Sequence, residues 1–318
     1  MKRIFTLYFF ALFCLISQAQ EELYERVYVH TDKTCYLAGE EVWIKFYTTD
    51  THFQPSFFSK VGYVEISNAE RPQAQLKLAL DNGSGSGKIK IPADVPSGIY
   101  ELSGYTQYMR NEGEKIFFRK QIAIINTFRI AESDPITLAD STETYPKEVP
   151  AMNGNIRINT SRPSYSMRQP VELTINGLPE EVSDLIVSVS RNDSLVILPH
   201  HEESVWRQQV TSTPGTFSGQ WVPEYEGHII RGQIQTPEGE TLKQIQNKHV
   251  SADIAFVGKD IRYVQGQVDV EGNARFYTSN IFGINDIVAA AWGANGESYQ
   301  MNILSPFCEN LPKNLPPL

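Results

Sequence analysis

From Arg26 onward apolar and polar residues alternate along the chain. Val27 and Val29 take one side, Tyr28 and His30 the other; Val42, Ile44 and Phe46 then oppose Trp43, Lys45 and Tyr47. A period of two over such lengths predicts half-buried β-strands, because successive side chains of a strand point to opposite faces. Thr31-Asp32-Lys33 and Ala38-Gly39-Glu40 supply turn chemistry between them. Further strands are predicted at Val61 to Ile66, Gln75 to Leu80, Lys88 to Ile91, Ile99 to Met109 and Ile116 to Ile125. This strand density, with Pro and Gly at the breaks, predicts an antiparallel sandwich of roughly 100 residues. No window offers a long amphipathic helix.

The stretch Ala131 to Gly154 has no period, is rich in Ser, Thr, Asp and Glu, and holds Pro135, Pro146 and Pro150. It reads as an interdomain linker. After it the opening of the first unit returns: VYVHTDKTCYLAGEEV (27–42) against IRINTSRPSYSMRQPV (156–171), at a constant offset. Thr31 matches Thr160, Lys33 matches Arg162, Tyr36 matches Tyr165 and Val42 matches Val171, while Gly39 has become Arg168. Repeated spacing of this kind predicts a duplicated, divergent second unit, continued by strands Val171 to Ile175 and Leu185 to Arg191. A third begins near Glu226, with strands Ile229 to Ile234, Ile261 to Val268 and Ala274 to Tyr277, turns at Pro237-Glu238-Gly239 and Asp269-Val270-Glu271-Gly272, and a buried apolar strand Ile287 to Trp292.

The whole is an all-β chain of tandem antiparallel β-sandwich domains. The expected divisions are a leader 1–19, a sandwich 22–128, a linker 129–150, a second sandwich 151–224, a third 225–304 and a Pro-rich tail 305–318.

Lys2 and Arg3 precede the apolar run Ile4 to Ile16, and Ser17-Gln18-Ala19 supplies small residues for cleavage after Ala19. This is the layout of a secretory signal peptide, so the mature chain is expected in the periplasm or at the outer membrane, without a membrane-spanning segment. The chain carries 28 basic and 37 acidic side chains, a formal charge of −9, and losing Lys2 and Arg3 makes it two units more acidic. Such a surface repels phosphate backbones, which argues against nucleic acid as a partner. Of three cysteines only Cys35 and Cys308 lie beyond the leader, too far apart in sequence to form a disulfide framework.

ERVYVHTDKTCYLAGEEVWIKFY (25–47) resembles the second macroglobulin domain of alpha-macroglobulin-type proteins. Pro96-Ser97-Gly98-Ile99-Tyr100-Glu101-Leu102 with Tyr105-Thr106 resembles that domain's closing strands. The resemblance covers roughly residues 22–128, with a partial copy over 150–222. Residues 226–303 are more loosely similar, through Gly232, Asp269, Gly272 and Phe276, to a carboxypeptidase-regulatory, transthyretin-like sandwich. The order implies a large envelope protein of Gram-negative bacteria; no receptor plug or barrel strands accompany it here. The thioester motif of protease-trapping members is not matched, since Phe307-Cys308-Glu309-Asn310 lacks its glycines and glutamine.

Candidate chemistry is sparse. Gly83-Ser84-Gly85-Ser86-Gly87-Lys88 imitates a phosphate loop, but Asn82 and Ile89 stand where Gly and Ser or Thr are needed, and a strand follows instead of a helix. It reads as a flexible hairpin loop. His200-His201-Glu202-Glu203 holds four potential metal ligands, of which an extended segment can converge at most two. Asp32 and Lys33 read as turn acceptor and surface cover. Tyr28, Trp43, Tyr47, Tyr63, Tyr105 and Tyr108 form the candidate binding patch, because several share strand parity with polar residues. No nucleophile elbow, Cys-x-x-Cys or His-Glu-x-x-His occurs.

The expected function is therefore a non-enzymatic envelope adaptor or structural protein without a cofactor, binding a protein partner such as an outer-membrane transporter or assembly complex through edge strands and loops. Two alternatives stand beside it: non-covalent protease bait, with 131–154 as the exposed loop, and peptide or carbohydrate capture for uptake.

Overall fold

The computed structural model describes residues 24–68, 71–128, 156–178, 185–189, 206, 210, 216–236, 249–258 and 261–308. The leader, the whole linker, His200 to Glu203, the Pro237-Glu238-Gly239 turn and the tail beyond residue 308 lie outside them.

The first sandwich is built from β1 (Arg26–Thr31), β2 (Cys35–Leu37), β3 (Glu41–Thr49), β4 (Val61–Ser67), β5 (Pro72–Ala79), β6 (Ser84–Lys90), β7 (Gly98–Tyr105) and β8 (Phe118–Ile125). Its sheets run β1-β3-β6 and β2-β8-β7-β4-β5. All pairs are antiparallel except β2 with β8, a short parallel strand where the sequence suggested only a turn. Val27, Val29, Val42, Ile44 and Phe46 of the first sheet bury against Val64, Ile66, Leu102, Ile122 and Ile124 of the second. The predicted strand Ile99 to Met109 is cut short: β7 stops at Tyr105, and 3₁₀ turns cover Tyr108–Glu112 and Glu114–Ile116.

The glycine-rich segment is a strand, not a loop. Asn82 and Gly83 both have positive φ (47° and 74°) and close a tight turn, with Asp81 N–H donating to Ser84 O and Ser84 N–H to Asp81 O. An Asn-Gly pair meets the left-handed conformation that such a turn requires. Ser84–Lys90 then pairs with β3 along its whole length. Glycine at 85 lets β5 cross over β6, since a Cβ there would lie 2.4 Å from Ala79 O.

The sequence repeat is also a repeat of structure. β9 (Arg157–Thr160) and β10 (Leu173–Asn176) pair Thr160 with Leu173 and Arg157 with Asn176. Their counterparts in the first unit pair Thr31 with Ile44 and Tyr28 with Tyr47. Both turns use the same hydrogen bonds: Thr31 Oγ1 to Lys33 O and Lys33 N–H to Tyr36 Oη, then Thr160 Oγ1 to Arg162 O and Arg162 N–H to Tyr165 Oη.

The third unit holds β11 (Ile229–Ile234), β12 (Ser251–Val257), β13 (Arg262–Gln265), β14 (Gln267–Val268), β15 (Asn273–Tyr277), β16 (Asp286–Trp292), β17 (Ser298–Tyr299) and β18 (Met301–Ile303). Its sheets run β14-β15-β11-β18 and β13-β12-β16-β17, around Ile234, Ala252, Ile254, Phe256 and Phe276. The predicted strand Ile261 to Val268 is split at Gly266, where the chain passes from one sheet to the other and the Phe276 ring leaves no room for a Cβ. Strand β12 was not legible in the sequence. β16, expected to be buried, turns much of its surface outward.

Candidate functional site

The structure divides the six candidate aromatics into separate places. Tyr28, Trp43 and Tyr47 stand on the outward side of β1-β3-β6, Tyr28 directly opposite Tyr47. Trp43 is exposed under the Lys88 ammonium, whereas Tyr28 packs against Phe118 and the helical residue Trp206. Tyr108 lies on a 3₁₀ turn beside Phe217 and Phe58. Tyr63 and Tyr105 are fully buried and stacked, ring centroids 5.4 Å apart, with Phe117 stacked beyond Tyr105 at 4.4 Å. The six do not share one surface.

The two buried tyrosines instead mark a joint between the first and third sandwiches. β4 is buried on both faces, and of its outward residues Tyr63 is met by Glu224, His228 and Phe307 and Glu65 by Cys308, all from beyond the first unit. Tyr63 Oη donates to the Glu224 carboxylate at 2.9–3.0 Å, and Ile229 N–H donates to Glu224 Oε1 at 2.7 Å. His228 Nδ1 completes the group, 2.9 Å from Glu224 Oε1 and 3.0 Å from Tyr63 Oη. Burial and the neighbouring Glu224 charge push the Tyr63 hydroxyl well above the ordinary tyrosine range. Burial and Glu65 do the same to Tyr105, whose hydroxyl bonds Glu65 at 2.5 Å.

Residues 305–308, read from the sequence as the start of a loose tail, close this joint from the other side. Gln107 Nε2 donates to Pro306 O, Phe307 lies edge-on to Tyr63, and Cys308 N–H reaches Tyr105 Oη at 2.8 Å. The Cys308 thiol is buried and donates to Glu114 Oε1 at 3.1 Å.

A second contact set pins the connector at residues 218–221. Asn111 acts as a surrogate strand: its amide donates to Trp221 O at 2.7 Å and its carbonyl accepts from Trp221 N–H at 2.9 Å. The Trp221 ring lies between two guanidinium groups, Arg110 at 3.5 Å from the first sandwich and Arg231 at 3.7 Å from the third. Burial, then the like charges of Arg110 and Arg275, pull Arg231 down to about 10, with Glu224 opposing. Arginine stacked on both faces of an indole gains cation–π attraction without giving up its in-plane hydrogen-bond donors.

A cleft of about 850 Å³ opens beside the joint, between Lys45, Lys60, Lys77 and Leu78 of the first unit and Ile230 and Phe282 of the third. Burial lowers the Lys77 ammonium pKa, with Glu224 opposing. Among the described residues no group of three metal-ligating side chains forms, and no helix is long and apolar enough to cross a membrane. Asp32 serves its turn, accepting from Tyr36 Oη and Trp43 N–H, while Lys33 pairs with Glu40 and lies over the Tyr36 ring.

Sequence reasoning missed Asn111, Trp221, Glu224, His228 and Arg231. The one available signal was Tyr63-Val64-Glu65, an acid and an aromatic on the outward side of a strand with an apolar opposite side.

No protein-family model matches the chain, and no curated protein matches it. Among solved structures it is similar to Salmonella alpha-2-macroglobulin reacted with methylamine, at 10% identity and a TM-score of 0.27, covering 88% of this chain and 14% of that one. It is similar also to E. coli alpha-2-macroglobulin in its native conformation, at 8% identity and a TM-score of 0.27 over 90% of this chain and 14% of that one. The form activated by porcine elastase gives 8% and 0.27, over 88% and 20%. The chain thus spans a fifth or less of these proteins' length.

Proposed function

We propose that the chain is an exported, non-enzymatic adaptor of the cell envelope that holds sandwich domains in a fixed relation and binds a protein partner. The joint carries this reading: Glu224 with Tyr63 and His228, and Trp221 between Arg110 and Arg231, fasten the third sandwich to the first through side chains from both. The ionisable groups gathered there are engaged with one another, which suits a spacer that presents its outer sheets. The leader-like segment Lys2 to Ala19 supports export, and the resemblance of residues 22–128 to macroglobulin domains supports an envelope setting.

The test is chemical crosslinking of the tagged chain in its native envelope, with mass spectrometry of the products. One envelope protein at near-stoichiometric yield is the expected result. Recovery of proteases, or of nothing above background, overturns the reading in favour of bait or ligand capture.

A further inference from the structure

The two sheets of the third sandwich treat solvent differently. On the outward side of β14-β15-β11-β18 stand Gln267, Arg275 and Arg231 in one row and Asn273, Gln233 and Asn302 in the next. Apart from Arg231, which stacks on Trp221 in the joint, that is the polar surface expected where an antiparallel sheet faces water. The outward rows of β13-β12-β16 are Tyr263–Ala255–Val288 and Gln265–Asp253–Ala290, flanked by Val257 and Trp292. Tyr263 is 64% and Val288 60% exposed. The inward residues of the same strands, Ala252, Ile254, Phe256 and Ala291, are buried in the core. Strands apolar on both sides are the pattern of a sheet covered on both sides, and a contiguous exposed apolar face marks an interaction site.

A second, independent observation lies at the centre of this face. Asp253 is only 4% exposed, and its Oδ1 has no hydrogen-bond partner. A buried carboxylate oxygen left without a donor costs free energy that a docking donor would recover.

The charges select the occupant. The outward positions of β12, β13 and β16 hold two carboxylates, Asp253 and Asp286, and no cation. A second copy docked isologously would set this negative face against itself, and anionic headgroups would be repelled. We infer that the outer face of β13-β12-β16 docks a protein partner through a flat, apolar, extended segment carrying one lysine or arginine, whose cation meets Asp253. This rests on the adaptor reading and places its contact on the third sandwich.

The test puts a photo-reactive residue at position 288 of the full chain in its native envelope, with a control at position 90 on the first sandwich, and sequences the crosslinked peptide. Position 288 should link to the protein recovered by chemical crosslinking, within a few residues of a Lys or Arg in an apolar segment. With the probe at position 263, Val288→Asp should cut the yield at least about tenfold, as expected for a charge forced into an apolar contact. Asp253→Asn should lower it severalfold while the thermal melt of the free chain is retained. The inference is overturned if chemical crosslinking recovers the partner but position 288 does not. Links only to a second copy or to lipid, or yields unmoved by both substitutions, overturn it equally. Should neither approach recover a protein, the adaptor reading falls with it.

Discussion

The guanidinium of Arg26 grips both carboxylate oxygens of Glu112 at 2.7 and 2.9 Å, with side chains 1% and 2% exposed. Beside it the buried Glu25 carboxylate accepts from Ser56, Ser59 and Thr106 hydroxyls. Removing one partner of a buried ion pair strands the other charge, so Glu112→Ala should cost about 3–5 kcal/mol in urea unfolding. Arg26→Met with Glu112→Leu should recover most of that loss, because neither member of the pair is then left buried without its partner. Asp269 offers a pH test. Burial alone would raise its carboxyl, but hydrogen bonds from the Asn273 side chain and backbone and from Glu271 N–H override this and hold it below the ordinary carboxylate value. A depressed carboxylate stabilises the fold above its unfolded pKa, about 4, and loses that contribution as pH falls through the folded value. The stability gap between wild type and Asp269→Asn should therefore be full at neutral pH and close below about pH 4.

Strand β6 shows how an element can hide behind its composition. Gly-Ser-Gly-Ser-Gly looks like a linker, yet its hydroxyls face outward and its glycines face inward under β5, where Leu78 and Leu80 take the space that Cβ atoms would fill. Gly85→Ala should destabilise the first sandwich by about 1–3 kcal/mol through overpacking, read as a lowered melting temperature. Strand β12 was missed for a related reason: Ser-Ala-Asp-Ile-Ala-Phe-Val mixes small and charged residues on its outward side, so the period of two is faint. The duplicated turn was legible, because Thr, Lys or Arg, and Tyr at fixed spacing each perform a local hydrogen bond that needs no distant partner.

For the whole molecule, the joint decides whether the sandwiches behave as one body. Trp221→Ala removes the indole between two like-charged guanidinium groups, leaving Arg110 and Arg231 to repel across the gap. The expected outcome is a thermal unfolding profile that separates into two transitions and a larger radius of gyration in solution scattering, with strand content unchanged by circular dichroism. A single unaltered transition would mean that the Tyr63–Glu224–His228 group and residues 306–308 fasten the units without Trp221.

Alternation, turn residues and the constant offset between 27–42 and 156–171 were sufficient to read an all-β sandwich string and its first core, because strand period and turn chemistry are local properties of the chain. The candidate patch was a different matter. Sequence parity could say that Tyr63 and Tyr105 point away from the first core, but not that residues 224–228 and 306–308 come back to bury them. Nor could it place Arg110 and Arg231 on opposite faces of Trp221, or leave Asp253 short of a donor. Those are contacts across more than a hundred residues, or between an outward sheet face and whatever covers it, and only the tertiary packing decides them.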